Sequence, residues 1–105
     1  MYSFKLVRLN SVNFDEEVLG ADVPVLVGFC APWSKASRGV ETLLSRIAVL
    51  EAGRVKACIF NVDEDPMFSL RHGVKDVPTV MLFKNGRLVD ASVGLRPEAE
   101  FIALL

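Results

Sequence analysis

The chain has little of what would make a metal or disulfide protein. Its 105 residues include two cysteines, Cys30 and Cys58, and one histidine, His72. Two cysteines do not form a disulfide framework, and with one histidine they make a poor metal site, so no metal and no cofactor is expected. Charge of one sign is also missing. Twelve Lys and Arg against thirteen Asp and Glu leave a formal charge of −1, which argues against a nucleic-acid footprint. No apolar run is long enough to span a bilayer. No N-terminal stretch joins a basic flank to an apolar centre and a small-residue cleavage site. The expected location is therefore the cytoplasm, with no membrane partner. Repeats, low-complexity tracts and linkers are absent as well. What remains is a chain in which 51% of residues are apolar, enough for one domain over residues 1–105 with a real core.

The chain is organised around Val25-Leu26-Val27-Gly28-Phe29-Cys30-Ala31-Pro32-Trp33-Ser34-Lys35-Ala36-Ser37. The apolar run has no polar alternation, which suits a strand buried on both faces. After Trp33 the spacing turns helical, with Val40, Leu43, Leu44, Ile47 and Leu50 at three- and four-residue steps. A strand running into a helix start brings backbone N–H donors and the positive dipole end to residues 34–37.

The other elements follow from local signals. Phe4 to Leu9 alternates as an edge strand would. Asn13 and Glu16 form a capping-box pattern for a short helix ended by Gly20. Pro24 opens the central strand, and the long helix ends near Gly53. Val55 to Val62 is a second buried strand. Asp65-Pro66 reads as N-cap and first helical residue, with Gly73 closing that helix. Thr79 to Phe83 is a third strand, and Asn85-Gly86 turns it into the antiparallel strand Arg87 to Val93. A last helix runs from Pro97 and Glu98 to Leu105. Strands alternating with helices predict an α/β fold with a mostly parallel sheet and an antiparallel hairpin at its edge.

Phe29 to Ser37 resembles the active-site segment of the thioredoxin family, in which an aromatic residue and Ala precede Trp-Cys-x-x-Cys. Asn61-Val62-Asp63-Glu64-Asp65-Pro66, Val77-Pro78-Thr79 and Phe83-Lys84-Asn85-Gly86 are similar to three further landmarks of that family, in the same order. The resemblance implies the thioredoxin fold, a central mixed sheet of about five strands flanked by about four helices, with a cis peptide bond before Pro78. It implies a lineage activity of protein thiol–disulfide exchange, and partners that are protein substrates, with a thioredoxin reductase as the reducing system. It also implies a monomer, and a shallow groove framed by Trp33, Val77, Pro78 and Gly94.

The departures decide what the chain can do. Ser34 and Ser37 stand at the positions of the family's nucleophilic and resolving cysteines. Exchange needs a thiolate nucleophile and a second thiol to resolve the mixed disulfide. Serine caps the helix well, but it does not ionise there at neutral pH and forms no S–S bond. Gly28 and Ile59 stand where the family carries a buried Asp and its Lys partner. Losing one alone would strand a buried charge at a cost of about 3–5 kcal/mol, whereas losing both is cheap. A hydrolytic role for Ser34 would need a base within reach. Lys35 points about 100° away on a helix, and His72 belongs to another helix, where it is expected to be solvated. The serines are expected to act as caps and surface hydroxyls. Asp63, Glu64 and Asp65 read as cap and loop.

Cys30 and Cys58 are expected on opposite sheet faces by strand alternation, Cys58 as an inert core thiol and Cys30 as a partly accessible, possible reactive thiol beside the motif. Gly39 inside the long helix costs about 1 kcal/mol relative to Ala. Two readings follow for the serines. In one, the chain is a double Cys-to-Ser form of a Cys-Lys-Ala-Cys thioredoxin. In the other, it is a naturally redox-dead module whose groove holds a partner protein.

Overall fold

The computed structural model describes residues 6–105. Five strands form one sheet: β1 (Val7–Leu9), β2 (Val25–Cys30), β3 (Lys56–Asn61), β4 (Thr79–Lys84) and β5 (Arg87–Val93), in the spatial order β1-β3-β2-β4-β5. Phe4 and Lys5, the start of the expected edge strand, lie outside the described residues. Three α-helices, α1 (Lys35–Leu50), α2 (Pro66–Arg71) and α3 (Glu98–Leu104), and a π-helical turn at Asp15–Leu19 complete the fold.

The sheet is more evenly mixed than the alternation of elements predicts. β3 runs parallel to both β1 and β2, but β4 runs antiparallel to β2 as well as to β5. β4 starts at the end of the sheet where β3 stopped: Cys30 pairs with Asn61, the last residue of β3, and the neighbouring Phe29 pairs with Thr79, the first residue of β4.

All six residues of β2 are buried, as expected of a central strand covered on both faces. One face holds Phe14, Val27, Phe29, Cys58, Phe60 and Phe68 with Phe83. The other packs Leu26, Cys30, Ile59 and Leu82 under Val40, Leu44 and Ile47 of α1 and Phe101 of α3. The two cysteines thus sit in separate core layers, both as free thiols.

Several local signals act as read. Asp65 caps α2 by accepting from the Phe68 amide at 3.0 Å, with Pro66 in the first turn. Asn85 and Gly86 both have positive φ, 53° and 76°, which is the geometry of a tight hairpin whose twist matches its strands.

The capping box at Asn13 does not form. The turn before Asp15 is held by Asn10, whose Oδ1 accepts from the amides of Val12 and Asn13 at 2.8 and 2.9 Å. Asn13 Oδ1 turns back to the Asn10 amide at 2.8 Å, so it is not free to cap. The segment then winds wide, with the Gly20 amide reaching Asp15 O at 2.9 Å, which keeps Phe14 and Val18 in the core. His72 is also not a solvated residue. Its ring is half-buried, stacked on Phe68 at 4.3 Å between centroids and 4.9 Å from Phe14, with Nδ1 2.9 Å from Phe68 O. Phe68, four residues back on α2, and Phe14, just before the π-helical turn, enclose it, and the Phe14 contact joins elements that no local pattern links.

Candidate functional site

The loop between β2 and α1 forms because β2 is pinned on both sides and the chain must reverse at its end. Ala31 O accepts from the Ser34 amide at 3.1 Å, closing the turn. Ser34 then takes an extended conformation, φ −93° and ψ 120°, and caps α1 by accepting from the Ser37 amide at 3.2 Å. Ser37, in the first turn of α1, is 2% exposed. Its Oγ accepts from the Ala31 amide at 3.2 Å. It is therefore not a surface hydroxyl, because the first turn of α1 packs this side directly onto the loop.

Each serine hydroxyl thus holds backbone. Among the described residues, no histidine or carboxylate hydrogen-bonds Ser34 Oγ. His72 is engaged with Phe68, and Lys35 is exposed. This arrangement caps a helix and offers no activated nucleophile. Nor does any group of three or more His, Cys, Asp or Glu among the described residues converge as metal ligands.

Behind the loop, Gly28 pairs with Ile59 across the β2–β3 ladder. A β-carbon on Gly28 would come within 2.7 Å of Leu44 Cδ1 and 3.2 Å of Val40 Cγ1. Both Leu44 and Val40 are fully buried. The ends of the Leu44 and Val40 side chains would have to shift to admit a side chain here, and the residue paired with Gly28 across the ladder is the apolar Ile59, not a cationic partner.

Cys30 is less accessible than its place beside the motif suggests. It is 6% exposed. Burial pushes its thiol up to about 11; a hydrogen bond to Ser37 opposes the rise and the nearby Glu41 carboxylate adds to it. Cys58 is pushed up to about 12, again chiefly by burial. Neither has thiolate character at neutral pH. The cause at Cys30 is that its side chain points under α1, into the core layer of Val40 and Leu44, and away from the loop's outer surface.

The expected groove residues come together in part. The Val77–Pro78 peptide bond is cis. Gly94, at φ 90°, donates its amide to Pro78 O at 2.8 Å, which ties residues 78 and 94 together; Pro78 itself is buried, and Val77 and Gly94 are partly exposed on either side of that bond. Trp33 is 69% exposed. It shares with Val77 a cavity of about 460 Å3 whose walls include Pro66, Leu70, Val74 and Asp76; Gly94 is not part of that wall. Sequence reading missed two contributors. Asp63 holds the Trp33 indole, accepting from Nε1 at 3.4 Å, and Leu70 is an exposed apolar residue on α2 beside the tryptophan. Leu70 had a signal, as the apolar residue of α2 next to the buried pair Phe68 and Ser69, whereas the Trp33–Asp63 contact spans 30 positions and leaves none.

Comparison with known proteins agrees with this geometry. The family model described as Thioredoxin matches residues 5–105. "Thioredoxin 1" of Nostoc sp. is 42% identical over 91 residues, covering 87% of this chain and 85% of that protein. "Thioredoxin" of Rickettsia bellii is 40% identical over 90 residues, covering 86% of each. "Thioredoxin M-type, chloroplastic" of Pisum sativum is 37% identical over 91 residues, which are 87% of this chain and only 53% of that protein's length.

Proposed function

Since the chain belongs to the thioredoxin family, whose activity is thiol–disulfide exchange, we propose that it keeps the family's partner-binding surface and has lost the exchange chemistry. The reading is that of a redox-silent module over residues 1–105 that holds an extended segment of a partner protein at Trp33, Val77, Pro78 and Gly94. Ser34 and Ser37 occupy the exchange positions as helix-capping and backbone-holding hydroxyls. No electron pair moves between this motif and a substrate disulfide, because neither position carries sulfur.

The observation that carries the reading is the packing at Gly28. A pair of cysteines changed to serine in an otherwise working thioredoxin would leave the surroundings suited to proton transfer. Here Leu44 and Val40 fill the space beside Gly28, and the opposing position is Ile59. The position behind the motif loop is apolar independently of residues 34 and 37.

The alternative, a double Cys-to-Ser form of a Cys-Lys-Ala-Cys enzyme served by a thioredoxin reductase, is supported by the fit of both serines at the two motif positions and by the family match over residues 5–105. The two readings part on one experiment. Ser34→Cys and Ser37→Cys are introduced together and reduction of a protein disulfide is followed. Turnover near background supports the binding module, and turnover of ordinary family size supports the enzyme.

Two free buried thiols fit a reducing compartment, and the cytoplasm is the proposed one, with the chain acting as a monomer. No helix among the described residues is long and apolar enough to cross a membrane.

A further inference from the structure

A hollow of about 340 Å3 lies behind the motif loop, where the ends of β1 and β3 meet the first turns of α1. It shares no wall residue with the cavity beside Trp33. Its size falls at the small end of the range for small-molecule sites, about 300–1,000 Å3. The floor is apolar: Leu9, Cys30, Ala31 and Ile59 line it, all of them buried.

The hollow has a cause in the sequence. Cys30 occupies the place of an aromatic residue in the motif this chain resembles. A thiol is much smaller than a ring, and Cys30 is one of the residues that line the hollow. The space left is open to solvent at a rim formed by Arg8, Arg38, Glu41 and Glu64.

The rim charges select against an ion. Two arginines face two glutamates, and Arg8 Nη2 is paired with Glu41 Oε2 at 3.4 Å. Arg38 Nη1 donates to Pro32 O at 3.2 Å. A charged ligand would meet a rim with no net charge and a lining that, apart from Ser37 and Asn61, is apolar below it. An uncharged ring would bury its faces on the floor, and an N–H or O–H on its edge would find carboxylate acceptors at Glu41 and Glu64.

We propose that the hollow floored in part by Cys30 is a binding site for a compact, uncharged aromatic ring carrying one hydrogen-bond donor, of the size of indole or phenol. The site goes beyond the partner groove and does not depend on it, since the two lie on different sides of the loop.

Indole titrated into the full chain, followed by the backbone amide spectrum, tests the assignment. The expected result is saturable shifts centred on Cys30, Ala31, Ser37, Arg38 and Ile59, with benzoate, the charged control, at least about tenfold weaker. Cys30→Phe fills the hollow from below and is expected to weaken indole binding by at least about tenfold while leaving the shifts of the Trp33 cavity residues in place. If that variant does not fold, Ile59→Phe plugs the same space from the neighbouring strand. Absence of saturable shifts, shifts centred on Trp33 and Val77, benzoate binding as well as indole, or undiminished binding in a folded plugged variant would each overturn the assignment.

Discussion

Ser34 and Ser37 are joined through the backbone: the Ser34 hydroxyl accepts from the Ser37 amide at 3.2 Å, and the Ser37 hydroxyl in turn accepts from the Ala31 amide at 3.2 Å. The two serines thus close the loop between β2 and α1 through successive hydrogen bonds. Ser34→Ala removes a half-exposed cap and is expected to cost about 1 kcal/mol. Ser37→Ala leaves the Ala31 amide of a buried residue without its partner and is expected to cost about 1–3 kcal/mol. Urea unfolding of the two variants measures both, and the order Ser37 above Ser34 is the diagnostic part.

The packing at Gly28 predicts a mutual exclusion. Gly28→Ala forces its new β-carbon against Leu44 Cδ1, at 2.7 Å before any relaxation, and overpacking of this kind costs about 1–3 kcal/mol. Leu44→Ala alone costs about 2–5 kcal/mol as a cavity in a fully buried site. The double variant is expected to be more stable than the sum of the two losses implies, because each change relieves the other. Additive losses in a double-mutant cycle would show that the closure over Gly28 is not tight.

The buried thiols predict an alkaline sensitivity. Both have folded-state values above the ordinary thiol value of 9.0, at about 11 for Cys30 and about 12 for Cys58. A thiol raised in this way contributes its full stability below about pH 9 and loses it as pH rises toward the folded value, since unfolding then releases a proton. Cys30→Ala is expected to flatten the decline of stability between about pH 9 and pH 11 relative to the unaltered chain. At neutral pH, a thiol reagent is expected to label Cys58 only on unfolding and Cys30 much more slowly than an exposed thiol, because burial holds it in the thiol form.

Gly39 has room for a side chain. A β-carbon built there would have Leu95 Cδ2 as its nearest neighbour, at 3.4 Å, the end of an exposed side chain. Gly39→Ala is therefore expected to stabilise the chain by about 0.5–1 kcal/mol through helix propensity. Thermal unfolding checks the sign.

The contrast between Gly28 and Gly39 shows where sequence reading stops. Each glycine is plain in the sequence, but only the structure shows that one is walled in by Leu44 and the other open toward Leu95. Elements written in short-range chemistry were legible: the continuous apolar run of β2, the Asp65-Pro66 cap and the Asn85-Gly86 turn all act through residues a few positions apart. The resemblance at residues 29–37 located the candidate loop. Contacts between distant segments were not legible. His72 on Phe14, Asp63 on the Trp33 indole and the hollow floored in part by Cys30 each depend on how separate elements pack. The direction of β4 depends on which end of the sheet the connection over residues 62–78 returns to, which an alternation pattern does not record.

Repeated reduction of a protein disulfide by the unaltered chain, supplied with excess small thiol, tests the central claim most directly. The account predicts a rate equal to that of the small thiol alone, unchanged by Ser34→Ala or Ser37→Ala. Turnover well above that background and abolished by either substitution would contradict it.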